Sequence, residues 1–162
     1  MGARLDELEA AYREYLPQFR RVAAAIVGDQ ERACDAVQEA FGRAIGRRKS
    51  FRHSGPLEAW LWRLVVNAAR DQAQPHAAPL DDDRQGAHEI ATNGDSLHTG
   101  EELRAAVAVL PERQRLVLFL RYYADLDYGT IASALEIAPG TVAATLHAAH
   151  SALRRTLQEV PR

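Results

Sequence analysis

Between Leu110 and Leu153 three apolar stripes at helical spacing are separated by two breaks, and few folds accommodate that pattern. Pro111 suits the first turn of a helix, where a missing N–H costs nothing. Leu116, Val117, Leu120 and Tyr123 then recur at helical spacing. Asp127 is placed to N-cap a short second helix whose buried side is Ile131, Ala132 and Leu135. Glu136 to Ala138 make a tight connection. Pro139-Gly140-Thr141 opens a last helix with Val142, Leu146, Ala149 and Leu153 on one stripe. A short helix, a turn and a longer helix form a helix-turn-helix, which can set the first turns of its second helix in a DNA major groove. The same stripes serve as well for three packed helices that never touch DNA.

The rest of the chain reads as helix too. Leu, Ala and Val dominate and β-branched runs are few, so an all-α protein is expected among these 162 residues. Residues 75–100 mark a boundary: two prolines, Asp81-Asp82-Asp83, Gly86, Asn93-Gly94 and Gly100 sit among few large apolar side chains. Such a segment cannot bury enough surface to fold alone. The expectation is two small helical domains, 1–74 and 101–162, joined by a flexible acidic linker at 75–100, with a further helix over Glu101 to Val109.

Leu5, Leu8, Tyr12, Tyr15, Leu16, Phe19, Val22 and Ile26 share one stripe. Pro17 is expected to break or kink that helix into two pieces, the second ending at Gly28. Asp29 N-caps a helix to about Arg47 with Val37, Ala40, Phe41, Ala44 and Ile45 on its apolar face. Arg47, Arg48, Lys49 and Arg52 cluster around Phe51, and His53-Ser54-Gly55-Pro56 reads as a loop. Cations interleaved with an aromatic suit single-stranded nucleic acid; a basic helix end that complements the helix dipole explains them equally well. Pro56 to about Gln74 is the next helix, with Leu57, Trp60, Leu61, Leu64, Val65 and Ala68 as its core stripe. Trp60 is read as core and Trp62 as the stacking surface.

Composition narrows the function. The net charge is −2, with 12 cations against 10 anions in residues 1–74, 1 against 5 in 75–100, and 7 against 7 in 101–162. A self-sufficient DNA binder carries a basic excess, so any DNA affinity here comes from local arrangement or from a large partner. No apolar run approaches the ~20 residues of a membrane span, and no membrane insertion is expected. One cysteine, Cys34, forms no internal disulfide and suits a reducing cytoplasm. There is no glycine-rich phosphate loop, nucleophile–base pair or ligand cluster, so neither an enzyme nor a cofactor or metal is expected.

The order of residues from Leu110 to Val142, L-P-E-R-Q-R-x-V-L-x-L-R-Y-Y-x-D-L-x-Y-x-x-I-A-x-x-L-x-I-x-P-G-T-V, resembles the C-terminal promoter-binding domain of bacterial sigma factors. The resemblance is to the small two-domain extracytoplasmic-function group. D-x-V-Q-E-x-F at Asp35 to Phe41 resembles the helix by which those factors dock on the clamp helices of the largest polymerase subunit. It implies Asp35, Gln38 and Glu39 as polymerase contacts. F-x-x-x-G-x-L-x-A-W-L-x-R-x-x-x-N-x-x-x-D, from Phe51 to Asp71, resembles the region that melts and reads the −10 element. It implies DNA contacts from Phe51, Arg52, His53, Ser54, Trp62, Arg63 and Asn67. In the last helix Thr141, Thr145, His147, His150, Arg154 and Arg155 are the expected −35 contacts.

The resemblance further implies core RNA polymerase, promoter DNA and an anti-sigma factor as partners. It points to a flap contact on the second-largest subunit around Leu116, Phe119 and Leu120, of which core packing is expected to claim at least two. The linker would thread the polymerase cleft. About 26 extended residues reach ~85–90 Å, matching elements ~25 base pairs apart at about 3.4 Å per pair. Where relatives commonly carry cations, this chain has Val66, Gln74, Ala143 and Ala148, and Ala138 stands where a capping serine is common. Those departures motivate a second reading, a sigma-like protein that binds polymerase or a regulator but reads promoters poorly. They predict a weak duplex contact.

Overall fold

The computed structural model describes residues 2–73 and 97–159 of the chain. Among the described residues all regular structure is helical. The elements are α1 (Leu5–Val27), α2 (Gln30–Arg47), a 3-10 turn (Arg48–Ser50), α3 (Leu57–Ala73), α4 (Leu97–Ala108), α5 (Glu112–Tyr122), α6 (Tyr128–Leu135) and α7 (Pro139–Gln158). Most of the expected linker lies outside the described residues, and α4 takes up its last four positions. That helix therefore starts earlier than Glu101, although Gly100 sits in its first turns.

α1 runs unbroken through Pro17, contrary to the expected break. Leu8 and Ala11 before the proline, and Phe19, Val22 and Ala23 after it, are buried on one core. Bending would lift half of that stripe away. Pro17 itself is exposed, so water can reach the carbonyl that lacks its intrahelical donor. The helix ends where expected, with Gly28 at φ 80°, a left-handed cap suited to glycine. Asp29 caps α2 by accepting from the Glu31 N–H at 3.0 Å.

α1, α2 and α3 form one bundle around edge-on aromatic rings. Phe41 meets Tyr12 at 4.7 Å and Phe19 at 5.5 Å, and Phe19 lies 4.5 Å from Trp62. Chain residues ahead of α1 strap this bundle: the Ala3 N–H donates to the Arg48 carbonyl at 2.8 Å. Gly2 is required there, because a Cβ would stand 2.2 Å from the same oxygen.

α4 to α7 form the second bundle. Asp127 caps α6 by accepting from the Thr130 N–H at 2.7 Å, and those bonds hold its carboxyl below the usual range. Glu136 ends α6 in the left-handed region, φ 57°, and Pro139 opens α7. Ala138 at the α7 N-cap supplies no side-chain bond. Arg115 donates to the Leu110 carbonyl, and Arg121 to the Leu126 carbonyl at 3.2 Å. These two cations close corners of the bundle and are not solely surface charge.

The bundles pack on each other, α3 against α6 and α1 against α5, and their apolar cores are continuous. α3 is consequently buried on more than one side. Trp62, Val65 and Val66 are fully buried, Trp62 against Phe19 of α1, while Trp60 is only half-buried.

Candidate functional site

Three surfaces carry the residues that the sequence singles out. The first is the outer face of α2. Asp35, Gln38 and Glu39 are all exposed, at helical positions that share one face. The opposite face, from Ala33 to Ala44, is in the core. Glu39 pairs with Arg43 at 2.5 Å, and Arg43 reaches Asp71 of α3 at 3.5 Å. The acidic face is thus held in orientation by a bridge to the neighbouring helix. Asp35 and Gln38 remain open to a partner.

The second surface is the loop before α3 and the outer side of that helix. Arg47, Lys49, Arg52, His53 and Ser54 are exposed. Arg48 turns its guanidinium back to the Ile45 carbonyl at 3.0 Å, so it serves the turn. Two expectations are corrected. Phe51 is 7% exposed, its ring wedged against His53 at 4.6 Å and Trp60 at 5.2 Å. It holds the loop and is not offered to a base. Trp62 is fully buried against Phe19, so it is a core residue and not a stacking surface, while Trp60 is half-buried and packed against the core. A single-stripe reading of α3 assigns Trp62 outward, whereas the helix turns it toward Phe19 of α1, so the side facing the first bundle is wider than that stripe. Asn67 is exposed as expected.

Arg63 does not stand free. Its guanidinium donates to the Ser133 carbonyl on α6 at 3.0 Å and pairs with Glu136 at 3.3 Å. About two helical turns further along α3, Arg70 pairs with Glu112 at the start of α5. Beside these contacts lies a cleft of about 610 Å³, lined by the Phe51–Pro56 loop, Trp60 and Arg63 on one side and by Ala132, Ile137 and Pro139 on the other. A smaller cavity of about 250 Å³ lies between Ala25 and Ile26 of α1 and Leu116 and Phe119 of α5. Glu58, in the first turn of α3, has its carboxyl pushed up, chiefly by burial. The carboxylates of Asp127 and Glu14 add to the shift, and the Trp62 indole opposes it.

The third surface is the outer face of α7. His147, Arg154 and Arg155 are exposed, with Ala143, Ala144 and Ala148 making a flat, uncharged strip beside them. Thr141 is half-buried, and the Thr145 hydroxyl donates to the Thr141 carbonyl at 2.6 Å. The Tyr122 hydroxyl and His150 Nε2 are hydrogen-bonded at 2.7 Å. Of the expected duplex contacts, His147, Arg154 and Arg155 therefore point into solvent, while Thr145 and His150 already have partners. Leu116 and Leu120 are core residues, and half-buried Phe119 faces α1.

Known proteins match both bundles. Sigma-70 region 2 matches residues 11–77, and Sigma-70, region 4 matches residues 100–159. The ECF RNA polymerase sigma factor EcfG of Rhodopseudomonas palustris is 31% identical over 155 residues, covering 94% of this chain and 83% of that protein. The ECF RNA polymerase sigma-E factor of Escherichia coli K12 is 32% identical over 143 residues, covering 79% and 75%. Among solved structures, the sigma factor RpoE of Bartonella quintana, crystallised with the anti-sigma factor NepR, shares the fold with a TM-score of 0.73. That match has 21% identity and covers 97% of this chain and 100% of the other.

Proposed function

The chain belongs to the extracytoplasmic-function group of sigma-70 factors and is an RNA polymerase sigma factor; from that premise we propose how its parts divide the work. Residues 1–74 bind the polymerase clamp through Asp35, Gln38 and Glu39 and take the −10 strand on the loop and outer face of α3. Arg52, His53, Ser54, Arg63 and Asn67 supply those contacts. Asn suits a base edge and Arg a phosphate. Residues 101–162 meet the flap of the second-largest subunit and the −35 duplex, the latter through α7. Residues 75–100 join the two parts. The chain binds and positions, with no chemistry of its own, and works in the cytoplasm beside core polymerase. An anti-sigma factor is its expected regulator, as NepR is a partner of the Bartonella quintana factor.

The observation that carries this reading is the pairing of both sigma regions, in order, with an α2 whose acidic face is exposed and whose other face is core. Matches to proteins named as sigma factors along most of the chain do not favour the poorly reading alternative. The test is reconstitution with bacterial core polymerase on a pool of promoter fragments. Promoter-dependent short RNA is the expected product. Stable binding to core with no RNA from any fragment would overturn the reading.

A further inference from the structure

The basic turn ahead of α3 is held by chain from outside the family match. Sigma-70 region 2 matches residues 11–77, so Gly2, Ala3 and Arg4 lie ahead of the matched stretch. The Arg48 carbonyl is a shared acceptor: it takes the Ala3 N–H at 2.8 Å and the Phe51 N–H at 3.4 Å. Two further bonds of the turn are local, from the Arg48 guanidinium to the Ile45 carbonyl at 3.0 Å and from the Ser50 hydroxyl to the Arg47 carbonyl at 2.7 Å. The Ala3 bond instead ties the turn to residues far away in sequence. This strap is fastened at both ends. Ala3 is buried. A Cβ on Gly2 would stand 2.2 Å from the Arg48 oxygen and 2.5 Å from the Lys49 Cα, both main-chain atoms. The Arg4 N–H donates to Glu7 Oε2 at 2.9 Å, which fixes the strap to the first turn of α1.

Beyond the turn the loop keeps a constrained shape. Phe51 is wedged against His53 and Trp60, and His53 sits in the left-handed region at φ 52°. A non-glycine residue persists there where its surroundings hold it. Arg47, Lys49, Arg52 and His53 are exposed around this anchored backbone. We propose that Gly2 and Ala3 are positioning residues for the strand-binding loop. By clamping the Arg48 carbonyl they fix the turn and, through Phe51, the direction in which Arg52 and His53 meet the −10 strand. The proposal rests on the sigma-factor reading and its assignment of this loop to the strand. Its physics is pre-organisation: a loop already ordered loses less conformational freedom when a strand binds. Gly2 has no side chain and that of Ala3 is buried, so both act through the turn and not by touching DNA.

The test uses four variants of the full chain. Gly2→Ala drives a Cβ into the turn, and Ala3→Pro removes the donated N–H. Glu7→Ala, at an exposed position, loosens the strap from α1 without entering the core. Glu7→Gln keeps an acceptor for the Arg4 N–H. Hydrogen exchange on the chain alone reads the amides of residues 48–54. Association with bacterial core polymerase is measured beside it. The third reading is the concentration of promoter fragments that gives half-maximal short RNA. Circular dichroism confirms that each variant stays helical.

Gly2→Ala and Ala3→Pro are expected to speed exchange over residues 48–54. They are expected to raise the half-maximal promoter concentration about fivefold, the contribution of one ordinary hydrogen bond, with core association at the parent's level. Glu7→Ala is expected to move both readings in the same direction by less, and Glu7→Gln to behave as the parent. A merely structural role would lower core association and promoter response together, and that pattern in all three disruptive variants would overturn the proposal. Unchanged exchange in Gly2→Ala and Ala3→Pro would overturn it too. So would faster exchange with a parental promoter response, because the turn would then not set the strand contact. A parent without promoter-dependent RNA would sink the functional reading itself; a parent that transcribes beside variants that match it would sink this proposal alone.

Discussion

Trp60 and Trp62 lie two residues apart on α3 and have different work. Trp62 fills the first bundle's centre against Phe19, and no residue of the core is more deeply buried. Trp62→Ala is expected to cost about 3–5 kcal/mol in chemical denaturation. Trp60→Ala is expected to cost less and to loosen the loop that Phe51 anchors. Asp127 offers a pH test. Its bonds to Thr130 hold the carboxyl low. A depressed acid stabilises the fold above its unfolded range, and that stability is lost as pH falls through the folded value. Asp127→Ala is therefore expected to cost about 1 kcal/mol near neutrality. Melting curves of variant and parent should converge in acid, below the ordinary carboxylate range. At this scale the exposed polar residues Asp35, Gln38, Asn67 and His147 were legible in the sequence. Phe51 and Trp62 were not: Phe51 lies in a loop outside any helical stripe and packs on Trp60, and Trp62 turns toward Phe19 from a position just beside the stripe that periodicity assigns to α3.

Caps and stripes placed the elements well. Asp29 and Asp127 cap their helices, Gly28 ends α1 and Pro139 opens α7. These signals are local, so a single sequence carries them. Pro17 shows where local chemistry was overruled. The break it favours competes with burial of residues on both sides of it, and burial wins. Pro17→Ala is expected to stabilise the chain by about 1–3 kcal/mol, because an interior helix hydrogen bond is restored. Chemical denaturation checks this, and no gain would mean that solvent already satisfies the freed carbonyl fully. The turn at Glu136 was legible in place but not in conformation. A glutamate at φ 57° sits where glycine or asparagine is the usual choice. Its carboxylate reaches Arg63 from that position, which no spacing rule anticipates.

Across the whole molecule, two bundles of the expected kind were legible, and their packing on each other was not. Contacts between α3 and α6 join residues about 70 apart in sequence, as Arg63 and Ser133 are. Ion pairs at such separations leave no periodic trace. The central claim, that one chain both docks on polymerase and reads a promoter, is tested most directly by two single variants assayed with core polymerase. Asp35→Ala is expected to weaken association with core by about tenfold, the loss of one charge-assisted contact. Asn67→Ala is expected to leave association unchanged while promoter-dependent RNA falls by about tenfold or more. If Asn67→Ala transcribed like the parent, or Asp35→Ala bound core like the parent, the division of labour between α2 and α3 would be contradicted.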